Sequence, residues 1–331
     1  MIRILLDNKL NTVIFTTILA LALRIPVFVL IPLKPETQIN AGILTELLTY
    51  LNTMPVLSYW LAFIILVIEG LILNKMVWEQ NIIEKPGYIV YFFFLMFNMC
   101  FIENMFLSNI LVGNLLLLIG LNYFYLYIKN NYHRNWLFLG ALFFGITALI
   151  VPEHYWILLF LIVAIILFKP ILPVDIFAVL FGLIMPYYLV SAVGYIFDFK
   201  IHFLNAWQFW VIKKKVIDFH WFKDGSELLL LFILLLFVFL GNSQLIGSYF
   251  RSNVETRRSK LALIVFALYL TIIFFIRIRD YSHYFILGSI PYAIFMANYY
   301  SQGNWRRSKE IMLYLTMALQ IYVVFRNVAV G

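Results

Sequence analysis

The densest polar cluster between two apolar runs is Arg277-Ile278-Arg279-Asp280-Tyr281-Ser282-His283-Tyr284. Two guanidinium groups two residues apart suit bidentate contact with phosphate oxygens, and Tyr281 and His283 add hydrogen-bonding groups. Asp280 is placed to orient one arginine. The plainer reading is an anchored loop whose arginines pair with Asp280 or with lipid headgroups. A second basic group is Lys213, Lys214 and Lys215, with His220 five residues on. Such runs are solvated, bind headgroups or collect an anionic ligand. Pro152-Glu153-His154 sets an acid beside an imidazole at the end of an apolar run. The pair can share a proton or contact a phosphate, and its plainer reading is a polar turn broken by proline. In Leu33-Lys34-Pro35-Glu36-Thr37, Glu36 is a candidate general base or metal ligand, with a solvated loop carboxylate as the alternative. Arg24 differs from all of these because it falls inside an apolar run. A charge there is costly and points to an ion pair or a polar cavity.

The elements that position these groups follow from composition. Of 331 residues, 64% are hydrophobic and 12% charged, with a mean hydropathy of +0.95. The charged fraction is half the roughly 25% of soluble domains. Ile, Leu, Phe and Tyr recur in long runs, which predicts an all-α, polytopic transmembrane helical bundle. A membrane β-barrel would instead alternate in polarity over short segments. The net charge is +8. With no soluble basic domain to carry a nucleic acid, that charge is read as loops facing anionic lipid. The single cysteine, Cys100, lies in an apolar run and can form no internal disulfide.

The runs predict about eleven spans, near 13–32, 56–73, 88–106, 107–127, 136–151, 154–168, 173–197, 228–246, 261–278, 282–298 and 310–327. The run from Val13 is read as a first transmembrane helix rather than a cleavable signal. Segment 39–54 is amphipathic and contains Glu46, which predicts an interfacial or re-entrant helix. The whole chain, 1–331, reads as a single integral membrane domain. With the N-terminus cytoplasmic, fourteen of the 24 Lys and Arg residues fall on the inner side and nine on the outer, with Arg24 within a span. The outer excess is concentrated around Lys213 to Lys215 and Arg277/Arg279. An anionic ligand at the outer membrane face is the simplest reason for charge placed against the rule. The stretch 198–227 carries Trp207, Trp210 and Trp221 among its lysines and is expected to lie along the outer interface.

The chain has no HxxxH or CxxC spacing, no Walker motif, no GxSxG and no GxGxxG, and it names no cofactor. Glu69, Asn74, Glu103, Asn104, Asn109 and Asn114 read as packing or boundary polar groups.

From Asn109 to Tyr195, an apolar span leads to a short basic loop and then to a glycine-bearing span ending at Pro152-Glu153-His154. With Ala62 to Asn74, which includes Glu69-Gly70, this resembles a family of multi-pass inner-membrane proteins of Bacteroidota. That resemblance implies a bacterial inner-membrane location and no particular activity. The layout also resembles, more weakly, the GT-C class of membrane glycosyltransferases. In that class an acidic residue follows the first span on the outer face, and a glycine span ends in a polar residue there. The class uses polyprenyl-phosphate-linked sugars, with basic residues on the phosphate. Glu36 matches the loop acid and His154 the polar end, although many members carry an acidic pair where this chain has one acid. The resemblance implies an envelope-biogenesis protein that binds a lipid-linked phosphate, with Glu36 as catalytic base. Arg277, Arg279 and Lys213 to Lys215 would then neutralise the leaving phosphate. Two other readings stay open. One is a non-catalytic subunit of a secretion or surface-assembly complex, with membrane protein partners on the aromatic segment 203–222. The other is a transporter of lipid or solute.

Overall fold

Backbone amides in hydrocarbon must be satisfied within the chain, and helices do this segment by segment. Every regular element among the described residues is helical. The computed structural model describes residues 5–6, 9–30, 43–84, 87–99, 102–129, 133–168, 172–196, 239–250, 252–276, 281–301, 309–318 and 321–322. In chain order the helices are α1 (Leu10–Leu30), α2 (Thr45–Asn52), α3 (Pro55–Glu79), α4 (Ile89–Met99), α5 (Asn109–Lys129), α6 (Arg134–Ile150), α7 (Tyr155–Phe168), α8 (Pro173–Ile196), α9 (239–249), α10 (Val254–Ile276), α11 (Tyr281–Ser301) and α12 (309–318). Single 3-10 turns, Ile102–Met105 and Pro152–His154, precede α5 and α7.

Local chemistry explains the boundaries. Pro55 and Pro173 open α3 and α8, where a missing N–H costs nothing. The end of α3 is closed by a double backbone bond. Ile82 N donates to Val77 O at 3.2 Å and Asn81 N to Trp78 O at 3.1 Å, with Asn81 at φ 52°. This left-handed residue stops the helix and satisfies its last carbonyls, and buried Ile82 joins buried Val77 in the core.

α3, α5 and α8 are long and apolar enough to cross a membrane, and α1, α4 and α6 are shorter apolar helices. The chain is therefore an all-helical membrane protein. At its centre is α4, every residue of which is buried. It packs against α1, α3 and α11. A second group forms where α5, α6 and α8 approach through glycines. A Cβ on Gly182 would sit 2.7 Å from Phe138 O and 2.8 Å from Ala141 Cβ, so only glycine lets α8 lie this close to α6. The opposite side of α8 exposes Ile176, Phe177, Leu180, Phe181 and Ile184. That face suits lipid tails.

Two sequence expectations change in detail. The span expected at 88–106 is not one continuous helix, because α4 ends at Met99 and a 3-10 turn follows at Ile102. Eleven residues rise only about 16 Å, roughly half of a hydrocarbon core near 30 Å. The segment expected at 39–54 contains the eight-residue α2, with Leu48 buried and Leu47 and Tyr50 exposed. This fits an amphipathic helix lying across the bundle end. The interfacial stretch expected at 198–227 lies outside the described residues.

Among the described residues, the two ends of the bundle differ in their share of lysine and arginine. At one end Tyr88 N donates to Leu5 O, Lys129 Nζ donates to Glu79 O at 2.7 Å, and Arg134 pairs with buried Asp175 at 3.1 Å. Lys260, at the start of α10, donates to Ser248 and Ser252 at this same end, and Lys309 donates to Tyr299 O near the close of α11. Lys9, Lys75, Arg257 and Arg258 belong to the same end by their places on α1, α3 and α10. Among the described residues, Arg24 is the one Lys or Arg outside this group.

Candidate functional site

Among the described residues, the end that carries Arg24 holds a network of uncharged polar side chains. Asn52 closes α2 and Ser58 lies in the first turn of α3, six residues apart. Ser58 Oγ donates to Asn52 Oδ1 at 2.5 Å and accepts from Leu107 N at 3.0 Å, and Asn52 Nδ2 donates to Leu107 O at 3.2 Å. Two side chains thus satisfy both backbone groups of Leu107, which sits in the loop before α5 and has no helical partner. Asn98, on the last turn of α4, accepts from Asn104 Nδ2 at 3.0 Å and donates to Phe94 O at 2.9 Å. Asn109 Nδ2 donates to Thr45 Oγ1 at 3.1 Å and ties α5 to α2.

Arg24 enters this network from α1 and is 1% exposed. Its Nη2 donates to Met105 O at 2.5 Å and to Tyr59 O at 3.2 Å, with Asn104 O at 3.5 Å. The guanidinium carbon lies 4.5 Å from the Tyr59 ring centroid and 5.5 Å from that of Phe63. Asn104 and Met105 close the 3-10 turn, where carbonyls lack intrahelical donors. A cation at the C-terminal end of a helical turn bonds those oxygens and complements its dipole. Among the described residues no carboxylate pairs with Arg24, and carbonyls and aromatic faces lie around it. Its Nε and Nη1 find no acceptor among the described residues.

His154 lies at the same end of the bundle. It is 2% exposed, and its ring packs near Gly113, with Cε1 3.6 Å from where a Cβ on that glycine would be. Gly113 leaves room for it. Glu153 is in the 3-10 turn beside it, with only its backbone described. His283 sits in the first turn of α11, again with only the backbone described. That turn approaches the same region, since Ile286 packs with Ile110, Ile150 and Val151. Glu36, Lys213, Lys214, Lys215, His220, Arg277 and Arg279 lie outside the described residues. The structure thus brings Arg24, the turn at 152–154 and the start of α11 to one end of the bundle. It shows no direct contact between Arg24 and His154.

Two groups read as packing residues in the sequence take on more definite places. Asn104 supplies both a carbonyl near Arg24 and an amide to Asn98. Glu69 and Asn114, on different helices, are wholly buried and meet, with Asn114 Nδ2 donating to Glu69 Oε2 at 3.1 Å. The available signal was a charged or amide side chain isolated in an apolar run; their pairing was not readable from it. Among the described residues no three His, Cys, Asp or Glu side chains cluster as a metal site. No protein-family model matches the chain, and neither a curated protein nor a solved structure matches it.

Proposed function

We propose that this is a multi-pass inner-membrane protein of the bacterial envelope that binds a lipid-linked phosphate at the end carrying Arg24. The observation that carries the reading is a buried guanidinium that, among the described residues, has no carboxylate beside it and two donor nitrogens, Nε and Nη1, without acceptors. Planar guanidinium donors match phosphate oxygens, and a low-dielectric setting strengthens that contact. The orientation in this reading is supported by the other end, where the remaining described lysines and arginines gather. Positive loops favour the cytoplasm, so the Arg24 end is the outer one. On the chain, Arg24 leads to Glu36, and Arg277 and Arg279 lead into α11, whose first turn approaches the same end.

In this reading the chain is an eleven-span bundle of GT-C type that takes a polyprenyl-phosphate sugar. Glu36 acts as base toward the acceptor. Arg277, Arg279 and Lys213 to Lys215 stabilise the phosphate that departs. The test is native mass spectrometry of the protein in nanodiscs offered polyprenyl phosphate or the matching neutral polyprenol. Retention of the phosphorylated lipid alone, weakened in Arg24→Gln, is expected. Equal retention of both lipids refutes the phosphate site. For the enzymatic step, Glu36→Gln is expected to bind the lipid and transfer no sugar, and undiminished transfer refutes Glu36 as base. Single cysteines introduced at exposed positions 75 and 255 are expected to react with impermeant reagents only from the cytoplasmic side.

A second reading, a transporter of lipid or solute, is favoured by one observation. Glu69 and Asn114 place a polar pair deep in two long apolar helices, where such groups mark ion pathways.

A further inference from the structure

Glu69 of α3 and Asn114 of α5 both have no solvent exposure. Asn114 Nδ2 donates to Glu69 Oε2 at 3.1 Å. The other two oxygens of the pair, Glu69 Oε1 and Asn114 Oδ1, accept from no donor among the described residues. A side-chain inventory makes the deficit plain. An ionised carboxylate only accepts, and an amide oxygen only accepts. Two buried acceptors are therefore left on two side chains already joined by one bond. Turning the Asn114 amide over does not help, because it exchanges one unmet acceptor for another.

One proton removes the deficit. Placed on Glu69 Oε1, it turns that oxygen into a donor toward Asn114 Oδ1, while Asn114 Nδ2 keeps donating to Oε2. The planar acid and the planar amide then close a ring with two hydrogen bonds and no net charge. We propose that Glu69 and Asn114 form an intramembrane proton-binding site, with the proton held on Glu69 Oε1 and shared toward Asn114 Oδ1.

Among the described residues, the surroundings supply no rival cation. Arg24 lies against Tyr59, which is ten residues from Glu69, about 15 Å along α3. On α3 itself the next charge is Lys75, which is exposed and pairs with Glu79. From α4, Tyr91 packs over Gly70, and its hydroxyl is engaged by Thr17 of α1 at 2.7 Å. His154 packs near Gly113, the residue before Asn114. Further along α5, Tyr125 is eleven residues beyond Asn114 and Lys129 closes the opposite end of the helix. A metal cation would need several ligands around it, and the described residues hold no group of three His, Cys, Asp or Glu side chains. Gain and loss of this proton switches a charge on and off between two packed spans. That property suits coupling proton movement to the passage of a cargo, and it is independent of the phosphate site proposed above.

The test is infrared difference spectroscopy of the full chain in nanodiscs, titrated over pH in sodium-free buffer and again with NaCl. Wild type is expected to show the carbonyl stretch of a hydrogen-bonded carboxylic acid at neutral pH, and Glu69→Gln, which preserves shape, to lose it. Asn114→Leu is expected to move the band to higher frequency, because the acid loses its acceptor. An ionised carboxylate as the only signal lost in Glu69→Gln overturns the proposal, whether or not that signal responds to sodium. Should Glu69→Gln fail to fold, wild type and Asn114→Leu decide: no acid band in wild type, or one unmoved by Asn114→Leu, overturns it.

Discussion

Replacing Arg24 by methionine keeps most of the side-chain length and removes every donor. In the native protein Nη2 makes bonds of 2.5 Å to Met105 O and 3.2 Å to Tyr59 O, with Asn104 O at the 3.5 Å limit. Bonds from a charged donor are each worth a net ~1.5–3 kcal/mol, so the two shorter ones amount to about 3–6 kcal/mol. The Tyr59 ring adds up to ~2 kcal/mol in a desolvated setting. Against this stands the cost of burying a guanidinium, several kcal/mol. Methionine escapes that cost but leaves the Met105 carbonyl with no donor where Arg24 stood. The balance predicts a loss of ~3 kcal/mol, roughly a hundredfold in the folding equilibrium at 1.4 kcal/mol per tenfold. The assay is reversible unfolding in mixed micelles, with thiol labelling of Cys100 as a local reporter. Cys100 is the single cysteine and precedes the 3-10 turn by two positions. Arg24→Met is expected to unfold earlier and to label faster, and Arg24→Lys to recover part of both losses. Unchanged unfolding and labelling in Arg24→Met would refute the view that this guanidinium holds the turn in place.

Two further substitutions probe the frame around the site. Ser58→Ala leaves Leu107 N and Asn52 Oδ1 short of a partner and is expected to cost ~1–3 kcal/mol, measured by the same unfolding titration. Gly182→Val pushes a side chain against Phe138 O and Ala141, so α8 must move away from α6. A loss of at least ~1–3 kcal/mol is expected, read as a fall in thermal midpoint, while Leu180→Val on the exposed side of α8 should leave the midpoint unchanged.

Residue identity alone was enough for the class of protein and the placement of most helices. Chains of Leu, Ile and Phe this long can be hidden only in hydrocarbon, and backbone polarity there leaves the helix as the form such runs take. The run 173–197 emerges as α8 at Pro173–Ile196, and 107–127 as α5 at Asn109–Lys129, because proline and lysine mark those ends locally.

Tertiary structure decided what the polar groups do. Arg24 stood out as a charge in a span, but its partners are carbonyls from Tyr59, 35 residues away, and from Asn104 and Met105, about 80 away. Backbone oxygens leave no trace in residue types, so a sequence reading looks for a carboxylate instead. The break after Met99 was hidden for a related reason. An apolar run does not reveal where its helix stops when side chains from other helices satisfy the freed backbone. Glu69 and Asn114 each read as an isolated polar group in an apolar run. Only the packing of α3 against α5 joins them, and only that packing leaves two buried oxygens facing no donor among the described residues.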